Sequence, residues 1–440
     1  MMKLFFQLIL LLCTVSAWGQ IERRTYYDPE QEIPKEVYFV DDQDTSILVG
    51  KYIRFHPNQA KATEGEYVNG KREGKFTQYY QNGSVQRVLT FENGLREGPV
   101  SIYDESGNLI QKASFHEDKL ADSLFLYYPD GKLRSKGRFV ENKPEGKLLE
   151  YYQSGTLKSE ITYSGGKQNG EFNMFYESGV LQSEGLYEDG ILNGNYKNYY
   201  PSGQLDNESE MIAGERSGIF RDYDEAGNLL LEGHYLNGML HGENRAWYPD
   251  GTPKHIYNYA EGEKTGVNTA FYPNGNKQQV VTVKEEIHTI ENFDETGTLR
   301  QREALVDGQL HGLQEFFSTE GVKTEEINFS EGKRHGLART FHPDGETVAS
   351  ETTYNFGVIR DSRKTFHPNG KMESLTPYSA GKKHGIYKAW HANGTISVEG
   401  EYAGGRKVNE WKYYGENGDI EKIETYNRGE LVETQTAPFE

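Results

Sequence analysis

Aromatic and aliphatic residues recur along this chain at fixed offsets from a regular series of glycines. Gly83, Gly107, Gly131, Gly155, Gly179, Gly203, Gly227, Gly251 and Gly275 each stand 24 residues after the last. A step of 22 leads to Gly297, followed by Gly321 and Gly345, and a step of 25 leads to Gly370, followed by Gly394 and Gly418. Gln59 holds the equivalent place before Gly83. Four residues before every one of these positions is a ring, from Phe55, Tyr79 and Tyr103 through to Phe366, Trp390 and Tyr414. Eight residues after most of them is a second ring, as in Tyr67, Phe91, Phe115, Tyr187 and Tyr402, and two after many is an aliphatic, as in Val85, Leu133 and Ile396. Recurrence at a constant period is the mark of a repeat architecture.

The offsets predict local structure. In Tyr128-Pro129-Asp130-Gly131 and Tyr272-Pro273-Asn274-Gly275 the proline sets φ for a type I turn and the glycine takes the left-handed position of a bulged three-residue loop. Such a tip places the ring four before the glycine across from the aliphatic two after it, and simple alternation carries the residues six and eight after the tip onto the same face. Small or apolar residues at the sixth position, Gly137, Ile161, Gly185 and Gly233, leave room for the rings. A second turn recurs as Gly-x-x-x-Gly, as in Gly70 with Gly74 and Gly190 with Gly194, often opened by Asn-Gly or Asp-Gly. Turns every ten to fourteen residues exclude helices of useful length. The expected fold is all-β: an elongated single-layer antiparallel β-hairpin repeat ribbon or solenoid of about 16 units of 24 residues.

Units such as Tyr151-Tyr152-Gln153-Ser154-Gly155-Thr156-Leu157-Lys158-Ser159-Glu160, and Tyr187-Glu188-Asp189-Gly190-Ile191-Leu192-Asn193-Gly194, resemble the MORN-repeat variant family. Its bacterial members include antitoxin-like proteins of the YwqK type. The resemblance implies a β-hairpin array used for protein interaction, scaffolding or toxin neutralisation.

Composition narrows the picture. Apolar residues make up 35% of the chain and aromatic residues 13%, which suits a thin core with about one ring per short strand better than large closed cores. The net charge of -19 and the lack of a basic tract argue against nucleic-acid binding. At the N-terminus Lys3 precedes an apolar run from Leu4 to Val15, then Ala17-Trp18-Gly19, the pattern of a cleavable secretory signal and too short for a comfortable membrane span. The expected organisation is 1–19 signal peptide, 20–50 polar leader and degenerate N-terminal cap, 51–429 repeat array, and 430–440 C-terminal tail. Export would lead to the periplasm, the cell surface or the exterior. The only cysteine, Cys13, lies within the signal, so no disulfide is expected.

Candidate chemistry is sparse. Three residues before the tip stands an outward ring, Tyr80, Tyr128, Tyr152, Tyr176, Tyr200, Tyr248 and Tyr272, giving way to His342, His367 and His391. These seven tyrosines form a candidate partner-binding stripe, since a tyrosine offers an apolar face and a polar tip; the alternative is that each ring packs on its neighbour. His241, His311, His335 and His384 recur one unit or more apart, too far for two to share one metal ion. No nucleophile elbow, metalloprotease helix or phosphate loop is present, and carboxylates recur unit after unit without a singular pair. The expectation is a non-catalytic exported scaffold for protein partners, with no cofactor and no metal. Toxin neutralisation and binding of cell-envelope glycan are the alternatives. The stretch 277–290 lacks both return-turn glycines and is two residues short, which predicts a shorter turn.

Overall fold

The computed structural model describes residues 19–438, so the expected signal segment lies outside the described residues apart from Gly19. Every regular element among them is a strand, 40 in all, paired antiparallel. The chain divides into two compact units, Met1–Glu215 and Arg216–Glu440.

In the first unit the long strands pair in chain order. Gln20–Tyr26 pairs with Pro34–Asp41, then come Leu48–Phe55, Lys61–Val68, Lys71–Tyr79 and Val85–Glu92, and the meander continues in this way to Leu205–Ile212. The segment 20–50, expected as leader and cap, thus forms ladder strands of its own. The second unit repeats the scheme from Leu229–Leu236 and Gly242–Trp247 through to Ile420–Asn427, whose last partner is Glu430–Thr436 in the expected tail.

The tip turns form as the sequence predicts. Gly83 accepts φ of 86° and donates its N–H to the Tyr80 carbonyl, while the Tyr80 N–H bonds the Ser84 carbonyl. Only a residue without Cβ adopts that φ at little cost. Tyr79 faces Val85, the expected cross-strand pair. In the return turn Asn69 and Gly70 both have positive φ, 49° and 78°, the two-residue form whose twist matches the strands.

Alternation does not carry across the tip, and this corrects one expectation. Tyr79 pairs with Val85 but Gln78 pairs with Arg87, so Gln86 is an extra residue on the descending strand. One inserted residue exchanges the faces of everything beyond it. The ring four before the tip and the ring eight after it therefore lie on opposite sides of the sheet. The ring eight after the tip packs instead against the residue seven before the tip, a column whose residue type varies from unit to unit. Tyr52, Tyr67, Phe76 and Phe91 form an edge-to-face ladder with centroids 5.5, 5.6 and 5.2 Å apart. Phe76, Phe172, Phe220 and Trp411, all seven before a tip, are buried. The small sixth position is explained by the same column: a Cβ on Gly185 would lie 2.7 Å from Cε1 of Phe172 and 3.3 Å from Cδ2 of Tyr196. We call this side the ring face and the other the charged face.

The irregular steps have a single cause each. In an ordinary unit the ascending strand carries two extra residues at its bulge, as where Glu64 pairs with Thr77 but Glu66 with Glu73. Between Lys277–Lys284 and Ile287–Phe293 the register runs unbroken from Gln279–Asn292 to Lys284–Ile287. The two missing residues of that step are the bulge; the turn keeps its ordinary two residues, since Lys284 pairs with Ile287 just as Val68 pairs with Lys71, which corrects the expected shorter turn. The step of 25 places its extra residue in the tip loop, where the His342 N–H reaches the Thr347 carbonyl and Phe341 pairs with Val348.

Candidate functional site

The candidate tyrosines join one hairpin to the next. The hydroxyl of Tyr80 donates to the Tyr103 carbonyl at 2.9 Å, Tyr128 to Tyr151 at 2.8 Å, Tyr152 to Phe175 at 2.8 Å and Tyr176 to Tyr199 at 2.8 Å. In the second unit Tyr248 donates to Phe271 at 3.0 Å and Tyr272 to Phe293 at 2.9 Å. The histidines that replace them do the same through Nε2: His342 to Phe366, His367 to Trp390 and His391 to Tyr414, each at 2.8 Å. Each acceptor is the carbonyl of the ring residue four before the next tip. The rings are half-buried, Tyr200 among them. Where the position is Asp104, Asp224 or Asp294, the carboxylate has no hydrogen to donate and instead caps its own turn, accepting from the N–H of Asn108, Asn228 or Thr298. The hydroxyls of Tyr80, Tyr128, Tyr152, Tyr176, Tyr248 and Tyr272 are thus committed to stacking the hairpins, leaving ring surface towards solvent.

A different group of residues, on the ring face of the second unit, makes a distinct groove of about 380 Å³. Its floor is Trp411, 2% exposed, with Tyr387 stacked on it at 5.4 Å and Tyr402 edge-on at 4.9 Å. The indole Nε1 is buried and meets no acceptor among the described residues. Lys407 Nζ lies 4.3 Å from the Trp411 ring and 4.8 Å from Tyr426, and Lys383 Nζ lies 4.9 Å from Tyr402. Ammonium over a ring is an attractive arrangement that strengthens as water is excluded. Burial holds Lys407 below the ordinary lysine range. Arg363, Thr365, Ser374 and Thr376 complete one wall. Beside the groove the Glu424 carboxylate accepts hydrogen bonds from Tyr413 at 2.6 Å, Lys422 at 2.9 Å and Tyr426 at 2.9 Å. Those donors, Tyr413 foremost, hold its pKa down to about 2.

Position, not residue type, hid this site from the sequence. Lys383 and Lys407 stand eleven before their tips, where Arg72, Arg96 and Arg334 also cover rings, at 5.2 Å from Phe91, 4.3 Å from Phe115 and 5.5 Å from Tyr354. That offset carries a cation only in some units, so a search for invariant offsets passes over it.

The charged face of the second unit carries a cross-strand ladder of ion pairs. Arg302 bridges Glu291 at 2.9 Å and Glu315 at 2.8 Å, Lys323 bridges Glu315 at 2.7 Å and Glu326 at 3.3 Å, and Arg339 bridges Glu326 at 3.0 Å and Glu351 at 2.9 Å. Hydrogen bonds from Lys323 and Arg302 keep the Glu315 carboxyl below its ordinary range. Among the described residues no group of three histidine, cysteine, aspartate or glutamate side chains is placed to hold a metal ion. No helix among them is long and apolar enough to cross a membrane.

Within each unit, serial hairpins hydrogen-bonded through strands and turns, and in many repeats through tip side chains, define a stacked β-hairpin repeat protein. Ten stretches, 72–93, 96–117, 124–141, 144–164, 168–189, 192–212, 216–237, 362–380, 383–403 and 407–428, match the MORN repeat variant. The chain belongs to the MORN repeat variant family. Comparison with the curated proteins gives no match. Among solved structures it is similar to the crystal structure of TarM, at 16% identity over 23% of this chain and 19% of that one, with a TM-score of 0.18. It is also similar to the TcdB2-TccC3 crystal structure, at 11% identity over 94% of this chain and 31% of that one with a TM-score of 0.13. The Tc holotoxin pore of Photorhabdus luminescens matches at 10% identity over 94% of this chain and 30% of that one with a TM-score of 0.14. The chain therefore spans a third or less of each structure, and TM-scores this low have no bearing on fold or function.

Proposed function

We propose that this protein is a non-catalytic repeat scaffold, exported by its N-terminal segment, that binds protein partners on the charged face of its second unit. MORN repeats commonly mediate protein or membrane binding. The observation that carries the reading is a set of exposed apolar side chains that the second unit places at one repeat position. Eight residues before the tip, on the charged face, the first unit presents Lys51, Lys75, Pro99, Ser123, Lys147, Glu171 and Asn195. The second unit presents Ile219, Val267, Leu313 and Ile386 there, exposed by 40, 51, 42 and 57%, interspersed with Glu243, Thr289, Leu337, Ser362 and Glu410. Apolar side chains held in water beside a polar ladder are what a protein interface is built from: an apolar centre with a charged rim. Export would leave partners of the cell envelope or the exterior. Toxin neutralisation and glycan binding have no observation of their own to favour them.

The test is chemical crosslinking of the full chain to envelope extracts, with Val267, Leu313 and Ile386 each changed to lysine. The reading expects the crosslinked partners of the unaltered chain to be lost from the triple variant while its circular dichroism is unchanged. Capture that is indifferent to these changes, or absent in the unaltered chain, would overturn it.

A further inference from the structure

We propose that the groove over Trp411 is a docking site for an acidic polypeptide segment with carboxylates three residues apart, an inference that rests on the protein-binding reading above. Three of the groove's lining residues, Arg363, Lys383 and Lys407, are cationic, and none is a carboxylate. In a chain of net charge -19 this is a local reversal of sign, and complementary charge is what selects a partner and its register. Glu424 approaches Lys407 at 3.9 Å, but its oxygens already accept three hydrogen bonds, so it neutralises the site only in part.

Geometry fixes the class of anion. Lys383 and Lys407 occupy the same repeat position one unit apart, which strand spacing puts at about 10 Å. In an extended peptide of polyproline II form, with three residues per turn and a rise of about 3.1 Å, residues three apart lie on one face about 9 Å apart. A segment lying across the strands would therefore present one carboxylate to each ammonium. A sugar ring would stack on an open aromatic face, but here the ammonium groups of Lys383 and Lys407 already cover Tyr402 and Trp411, and Lys422 covers Tyr413 at 4.0 Å. What remains on offer is charge above a hydroxyl wall, including Ser374 and Thr365, which bond each other at 2.7 Å. Carboxylates on an extended backbone match that surface better than a saccharide does.

The experiment titrates the full chain with a nine-residue peptide carrying glutamate at every third position. The glutamine analogue of that peptide and a sulfated disaccharide serve as separate probes. Two charge-matched double variants are compared: Arg363→Gln with Lys383→Gln in the groove, and Lys388→Gln with Lys412→Gln on the opposite face. The expected result is salt-sensitive binding of the glutamate peptide, about tenfold weaker for the glutamine analogue and for the groove variant, and unchanged for the opposite-face variant. Equal binding of both peptides, tighter binding of the disaccharide, or equal loss in the two variants would overturn the proposal. If the groove variant still captures partners that the Val267, Leu313 and Ile386 variant loses, and the glutamate peptide does not bind, the groove assignment fails while the scaffold reading stands.

Discussion

The hydroxyl of Tyr128 donates a 2.8 Å hydrogen bond to the main-chain carbonyl of Tyr151, one hairpin further on. The carbonyl belongs to the ring residue that opens the next tip, so each tip is tied to its successor by a side chain. Tyr152 makes the same bond to Phe175. Removing one such hydroxyl leaves a half-buried carbonyl without its donor, at a cost of about 1 kcal/mol. Tyr128→Phe and Tyr152→Phe should each lower the unfolding free energy of the first unit by that amount in urea titration. Because the two sites lie in neighbouring hairpins, the double variant should lose somewhat more or less than the sum. A change within error in both would mean that the bonds do not hold the stack.

Gly185 and Phe172 face one another across a strand pair, with no space for a Cβ between glycine and ring. The backbone of Gly185 is not left-handed, so the requirement there is room. Gly185→Ala should destabilise by about 1 to 3 kcal/mol, the usual range for overpacking. Combining it with Phe172→Leu should recover part of that loss, a coupling that a thermodynamic double-mutant cycle reads directly. Strict additivity would show that the two positions do not share one space.

Glu424 gives the second unit a predictable response to acid. Its folded pKa, about 2, lies below the ordinary value of 4.5, so folding favours the ionised form. The stabilisation is complete above about pH 4.5 and is lost as the pH falls through that interval towards 2. Glu424→Gln should therefore be less stable than the unaltered chain at pH 7, by about 1 to 3 kcal/mol, with the gap closing below pH 3. Urea midpoints at pH 7 and pH 3 measure it. A gap that is the same at both values would rule out the carboxylate as its source.

Much of the fold was readable in advance because turns announce themselves. A tip glycine with its preceding Asn or Asp, and an Asn-Gly return turn, have few alternatives, and Gly83, Asn69 and Gly70 adopt the expected backbone. The pairing of Tyr79 with Val85 followed from the tip alone. Which face each ring occupies was not readable, since it depends on Gln86, an unremarkable residue whose only role is to be one too many. The column seven before the tip was equally hidden. It is Phe76 or Trp411 in some units but Asn244, Asn268 or Gln314 in others, and amides are accommodated there by local bonds such as that from the Asn258 N–H to Asn268 Oδ1. The seven candidate tyrosines stand out by period, but period does not tell that the hydroxyls of six of them reach the next hairpin. The groove was missed because its cations recur only in some units.

Stacking through the return turns rests on main-chain hydrogen bonds between neighbouring repeats. The N–H of Gly94 bonds the Arg72 carbonyl at 2.9 Å, that of Gly166 the Pro144 carbonyl at 3.1 Å, and that of Gly190 the Gln168 carbonyl at 2.7 Å. Each of these amides sits in a surface turn and would face water in an isolated hairpin. Amide hydrogen exchange at Gly94, Gly166 and Gly190 settles whether neighbouring repeats close on one another there. Exchange slowed by on the order of 100-fold or more is the predicted result; exchange at the rate of an unstructured peptide would contradict it.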